Sequence, residues 1–234
     1  MNEKCIKAFK AAFPRTLPVM AGYLVLGFGF GLLLQSKGFH FGWAFLMSLL
    51  IYAGSLQYVG VNLLATGADF ISTAVISLLI NARHLFYGLS MLIKYRDLGA
   101  LKPYIIYGLT DETYSLVCTA DPPAELDRGK YYFFITMLDH SYWVIGSTLG
   151  AVFGQTMPIN TTGVDFAMTA LFVVILLDNF KKTESRGPAV VGLIVSLVCL
   201  ILFGAKSFLI PSMIGMALAL MYLRPYLQGG KVDD

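Results

Sequence analysis

Apolar runs, most of them near the ~20 residues that a helix needs to cross a bilayer, follow one another from residue 16 to residue 223 of this chain. They occupy 16–36, 41–66, 68–93, 131–154, 163–180, 187–204 and 207–223, and a weaker run at 103–120 carries Asp111 and Glu112 at its centre. No stretch of 50 residues escapes a long apolar run, so no separate soluble domain has room to form. Charged residues make up 13% of the 234, about half the share of an ordinary soluble domain. A soluble chain with so little charge would expose large apolar patches and aggregate. The expected fold is an all-α integral membrane protein, a polytopic bundle of about six to eight membrane segments. A single transmembrane domain, 16–224, lies between a basic N-terminus, 1–15, and a short tail, 225–234.

Charge gives the orientation. Lys and Arg cluster at Lys4 to Arg15, at Lys94, Arg96 and Lys102, at Arg128 and Lys130, and at Lys181, Lys182 and Arg186; Arg224 and Lys231 follow the last run. The loop 155–162 is uncharged. The positive-inside rule makes the clusters and both termini cytoplasmic and places 155–162 outside. A full crossing by every run would put 94–102 on the wrong side. The conflict disappears if 41–66 and 103–120 are broken or re-entrant, each returning to its own side; Ala53-Gly54-Ser55 and Thr110-Asp111-Glu112 mark the breaks. Non-helical backbone at membrane depth lasts only where protein or water satisfies its polar groups, and transporters build binding sites from such helices. The N-terminus resembles a signal peptide in charge, but Thr16 to Gln35 is too long for a signal core and lacks a small-x-small cleavage site, so it reads as a retained first helix. The net charge of +3 is too small to indicate nucleic-acid binding, and Cys5, Cys118 and Cys199 lie far apart with no CxxC or Cys/His ligand spacing. No metal and no cofactor are expected.

Gly27 and Gly31 form a GxxxG, and Gly146, Gly150 and Gly154 repeat the spacing; such faces let membrane helices approach closely. At an offset of 121 residues, Phe45-x-Met47-Ser48 matches Phe166-x-Met168-Thr169, and Gly29 falls on Gly150. Residues 16–93 and 131–223 are therefore candidate repeats, of unassigned relative orientation.

The informative residues are polar ones at membrane depth, where a charged side chain costs ~2.5–3.5 kcal/mol on insertion scales. Arg83, in Asn81-Ala82-Arg83-His84, lies too far from Lys94 to snorkel easily; its fork of donors suits a carboxylate. Asp111 and Glu112 point to different faces, so one is expected to pair with Arg83 and the other to face water; a surface helix with solvated acids is the plainer reading. Asp139 and His140, near the start of 131–154, are either solvated caps or carriers of a coupling proton, as are Glu112 and His84; Asp178 closes 163–180 and His40 is expected to be inert. Gly54, Ser55 and Gln57 would offer an unwound turn and an amide to a polar solute, unless Ser55 only bonds its own backbone.

Four stretches resemble the AzlC family, the large subunit of branched-chain amino acid exporters: Tyr52-Ala53-Gly54-Ser55-Leu56-Gln57, Asn81-Ala82-Arg83-His84-Leu85-Phe86-Tyr87-Gly88-Leu89-Ser90, Thr110-Asp111-Glu112-Thr113-Tyr114 and Asp165-Phe166-Ala167-Met168-Thr169-Ala170-Leu171-Phe172. The likeness covers nearly the whole chain. Leu56 and Ala82 depart from the family's usual Ala and Leu, apolar exchanges that leave the polar positions intact. The resemblance implies export of leucine, isoleucine, valine or similar neutral amino acids such as methionine across a bacterial cytoplasmic membrane, with a small AzlD-type membrane subunit and energy from the proton gradient. No GxxxxGK[ST] phosphate loop argues for ATP. The substrate-binding or gating candidates are then Arg83, Asn81, Gly54, Ser55, Gln57, Asp111 and Glu112. Two other classes compete. A non-transporting scaffold would use the buried charges for assembly alone. An intramembrane hydrolase would need Ser55 and His140 as a dyad, without a GxSxG or HExxH to support it.

Overall fold

The computed structural model describes residues 3–119, 122, 123, 125–156 and 183–227, and five single positions between 166 and 180. Most of the expected segment 163–180, including Asp178, lies outside the described residues, as do 157–162. Among the described residues every regular element is helical, and the chain divides into two compact units, 1–168 and 169–234.

In the first unit α1 (Glu3–Ser36) and α8 (Arg128–Thr156) form the main packing. The two run parallel: Phe9 meets Phe134, the Thr16 hydroxyl meets that of Tyr142, and Gly31 lies against Ser147, Gly150 and Ala151. The spaced glycines make this contact. A Cβ on Gly27 would stand 3.0 Å from the Ser147 nitrogen, one on Gly146 2.9 Å from the Leu24 oxygen, and one on Gly150 would strike the Phe28 backbone. Backbones this close gain dispersion along their length, which is what holds helices together once lipid removes the hydrophobic drive. Residues 3–15 of the basic N-terminus are helical and belong to α1.

Two helical hairpins pack on this spine from opposite ends. From the far end, α2 (Phe41–Leu50) descends until its Ser48 carbonyl meets His140; α3 (Gly54–Ala65) then climbs back, with Gly54 against Trp143 and the Tyr58 hydroxyl on the Leu26 carbonyl. From the basic end, α6 (Lys102–Tyr107) rises until Gly108 abuts Thr136, and α7 (Asp111–Thr119) returns, with the Lys94 ammonium on the Cys118 carbonyl. The tips touch near the middle of α8: the Tyr107 hydroxyl donates to the Leu49 carbonyl at 2.7 Å, and the Tyr52 and Tyr107 rings lie 6.3 Å apart. Both runs expected to be broken or re-entrant, 41–66 and 103–120, are broken and turn back on themselves.

The turn at the first tip is strained. Tyr52 has φ 43°, a left-handed conformation that is uncommon for a bulky residue. The break precedes Gly54, which the close approach of the Trp143 ring, 3.1 Å from a built Cβ, explains better. A further break was not expected: the run 68–93 splits into α4 (Phe70–Asn81) and α5 (Arg83–Met91), bent by 43°. No glycine or proline marks it; the Ala82 N–H reaches back to the Leu79 carbonyl in a tightened turn.

Two described helices, Cys5–Ser36 and Arg186–Gly204, are long and apolar enough to cross a bilayer, and the bent pair α4–α5 is a third where the pair counts as one span. At 29 residues α8 has ample length, about 43 Å at ~1.5 Å per residue, but turns Thr136, Asp139, His140 and Ser147 inward. The first three basic clusters gather at one end, where Arg128 donates to the Lys94 carbonyl and Arg96 shares a cavity with Arg128; Ala12 packs there with Tyr95, Leu98 and Tyr131.

In the second unit α9 (Thr183–Ser207), interrupted at Gly204, packs on α10 (Leu209–Leu227) through Gly215 against Val195 and Gly192 against Met216. Leu193, Ile194, Leu197, Ile201 and Leu202 remain exposed, a surface suited to lipid.

Candidate functional site

Three chain breaks, at 51–53, at Ala82 and at 108–110, meet at Arg83. Its Nη1 pairs with Asp111 Oδ2, and its Nη2 donates to Ser55 Oγ at 2.7 Å. Ser55 lies in the first turn of α3, Arg83 opens α5 and Asp111 opens α7. Three helix N-termini therefore converge, each equivalent to about half a positive charge. No side chain caps α3 or α5, so first-turn N–H groups of α3 are left over as donors. Arg83 Nε, Asp111 Oδ1 and the Asn81 side-chain oxygen are buried without a hydrogen-bond partner. One donor and two acceptors thus remain in a site where the guanidinium and carboxylate balance, the start of α5 is offset by the end of α4 at Asn81, and the starts of α3 and α7 add positive potential that favours an anion.

The plainer reading of 103–120 as a surface helix fails, since Ile105, Thr113 and Val117 are buried. Asp111 is the partner of Arg83. Glu112, expected to face water, instead accepts from the Tyr23 hydroxyl at 2.7 Å. Asp139 and His140 are not solvated caps: α8 starts at Arg128, so both lie three turns inside it, and Asp139 is fully buried. Asp139 Oδ2 accepts from Thr113 at 2.8 Å.

His140 is held on both sides, its Nε2 on the Ser48 carbonyl at 3.2 Å and its Nδ1 on the Tyr104 hydroxyl at 3.0 Å. The carbonyl only accepts, so Nε2 carries the hydrogen and Nδ1 receives the phenol. His84 donates from Nδ1 to the Asn81 carbonyl and stays apart from the acid cluster. His40 has a structural task, accepting from the Gly42 N–H at the start of α2. Ser55 does not bond its own backbone; it and His140 form no dyad, each being engaged elsewhere.

Gln57, expected to offer its amide to a solute, is fully buried and committed. It donates to Ser48 Oγ at 3.2 Å and accepts from Trp143 Nε1 at 2.9 Å, which ties the α2–α3 hairpin to α8. Trp143→Phe leaves that acceptor unmet and is expected to cost ~1–3 kcal/mol, read as a lower Tm in detergent; an unchanged Tm would remove Gln57 from the account of the hairpin's anchoring.

Sequence reasoning passed over Tyr23, and took Tyr52 only as one aromatic of a recognised stretch, not for its hydroxyl. Each is one tyrosine among many in an apolar chain, and only the fold places their hydroxyls beside the acids. Thr110 and Thr113 stood inside a recognised stretch, but a hydroxyl carries no signal there until its partners are known.

The family model described as AzlC protein matches residues 18–157, which hold all three breaks. The chain is 43% identical over 226 residues to the branched-chain amino acid transport protein AzlC of Bacillus subtilis, covering 97% of this chain and 89% of that protein. It is 43% identical over 215 residues to an uncharacterized membrane protein of Haemophilus influenzae, covering 92% and 88%. The inner membrane protein YgaZ of Escherichia coli is 30% identical over 182 residues, covering 73% and 72%. No solved structure matches.

Proposed function

Because this chain belongs to the AzlC family, we propose that it is a secondary active transporter exporting branched-chain or related neutral amino acids across the bacterial cytoplasmic membrane. The observation that carries the reading is the half-buried Arg83–Asp111 pair at three meeting helix starts, with an unused donor on one partner and an unused acceptor on the other. A zwitterion fits such a pair. Its carboxylate takes the guanidinium and the first-turn N–H groups of α3; its ammonium takes Asp111. Entry replaces one internal ion pair by two, and departure lets the pair close again, so charge at this depth is never left bare. The gathering of basic clusters at one end supports a cytoplasmic N-terminus. The name of the Bacillus subtilis relative supports the substrate class. Coupling to the proton gradient and a small AzlD-type membrane subunit complete the proposal.

The test is leucine flux in vesicles containing the purified chain with and without that subunit. Uptake that isoleucine, valine and methionine compete with, and glutamate and lysine do not, is expected. Absence of flux in both preparations would favour the scaffold reading instead.

A further inference from the structure

A second polar cluster runs behind the Arg83 site. Glu112 Oε2, the Tyr23 hydroxyl, Thr110 Oγ1, Thr113 Oγ1 and Asp139 Oδ2 form an unbroken row, with successive separations of 2.7, 2.6, 3.1 and 2.8 Å. It crosses from α7 through α1 and the second hairpin tip to α8, and Thr110, Thr113 and Asp139 are buried.

The row has four oxygen-to-oxygen links, and each link at these separations needs one hydrogen. The three hydroxyls supply three. If both carboxylates were ionised, one link would hold two facing lone pairs. At 2.7, 2.6 and 2.8 Å the two end links and the Tyr23–Thr110 link each take a hydrogen, so with both acids ionised the bare link is Thr110–Thr113 at 3.1 Å. A fourth hydrogen on one of the two acids completes the row. No cation competes for it among the described residues: Arg83 is engaged by Asp111 and Ser55, and Asp139 makes no ion pair. The ionisable groups facing Asp139 are Glu112 on α7, Tyr23 on α1 and Tyr52 at the first hairpin tip, and His140 follows it in the chain. His140 has both ring nitrogens committed.

We propose that Glu112 and Asp139 share one proton along the hydroxyl row Tyr23–Thr110–Thr113, and that this is the proton exchanged for substrate. The transfer balances. Asp139 gives its proton to Thr113, Thr113 passes its own to Thr110, Thr110 to Tyr23 and Tyr23 to Glu112. Every hydroxyl ends with one hydrogen and the charge moves from one acid to the other. Glu112 adjoins Asp111 in the chain, so the negative charge arrives beside the Arg83 pair when the proton sits on Asp139, and leaves when it sits on Glu112. The orphan Asp139 Oδ1 and Tyr52 hydroxyl, both buried, give the protonated acid an alternative partner when the hairpin tip moves. The coupling role rests on the transport reading; the shared proton does not.

Two readouts separate them. Infrared spectra of the whole protein in vesicles at neutral pH are expected to show a protonated carboxylic acid that both Asp139→Asn and Glu112→Gln remove, because either amide supplies the missing hydrogen itself. In transport, the ratio of gradient-driven to exchange flux of leucine is expected to fall by about tenfold or more in Thr113→Val, and to recover in Thr113→Ser, which restores the hydroxyl. A band that survives both amide variants, or no band in the wild type, overturns the shared proton. An unchanged flux ratio in Thr113→Val overturns its use in coupling. Absence of leucine exchange in the wild type refutes the substrate and the coupling role together, and the infrared band then decides the shared proton alone.

Discussion

Replacing Arg83 with alanine is expected to lower leucine flux about 100-fold, the scale on which one preorganised charged donor acts. The chain should still fold. Side-chain exposures of 28% for Arg83 and 24% for Asp111 let water compensate in part, so the loss of stability should stay below the ~3–5 kcal/mol of a fully buried broken pair. Arg83→Lys keeps the charge and loses the fork. One ammonium reaches Asp111 or Ser55 but holds both poorly, so about tenfold of flux should be lost with little change in Tm. Normal export by Arg83→Ala at normal expression would end the proposal that this pair receives the solute.

The second large effect concerns folding alone. Gly150→Leu is expected to leave no stable protein, and Gly31→Ala to cost at least the ~1–3 kcal/mol typical of overpacking. In both, the added Cβ meets backbone atoms of the partner helix rather than a side chain that can turn aside. Gly22 lies on the same helix with nothing within 4 Å of a built Cβ, so Gly22→Ala should be tolerated. Thermal unfolding of the three proteins in one detergent measures this. Equal losses in Gly22→Ala and Gly31→Ala would mean that helix propensity, not the fit between α1 and α8, sets the cost.

The glycine spacing was the most legible feature of the fold, because a small residue every fourth position has one physical use in a helix that lipid surrounds. The two re-entrant runs were legible for a different reason: their charge pattern could not be threaded through full crossings. The bend at Ala82 left no trace. Alanine is the best helix former, and the bend coincides with a contact of Arg83 to residues 28 positions away on one side and on α7 on the other. Asp139 and His140 were misjudged because distance from the start of an apolar run is a poor measure of depth. The helix begins three residues before that run, and the hydroxyl that receives Asp139 lies 26 residues earlier. Arg83 and Asp111 were found because a charge in such a sequence stands out. Gln57 stood out for the same reason, and its partners show that a polar residue at depth can be structural mortar.

The opposed hairpins have a mechanical consequence. Each turns back half-way, so the two tips meet ring to ring, Tyr52 against Tyr107, instead of running past each other. In the proposed transport cycle the moving parts are then expected to be these tips, while α1 and α8 stay locked backbone to backbone. The work of each cycle is then confined to a small joint, and the rest of the unit serves as its fixed frame.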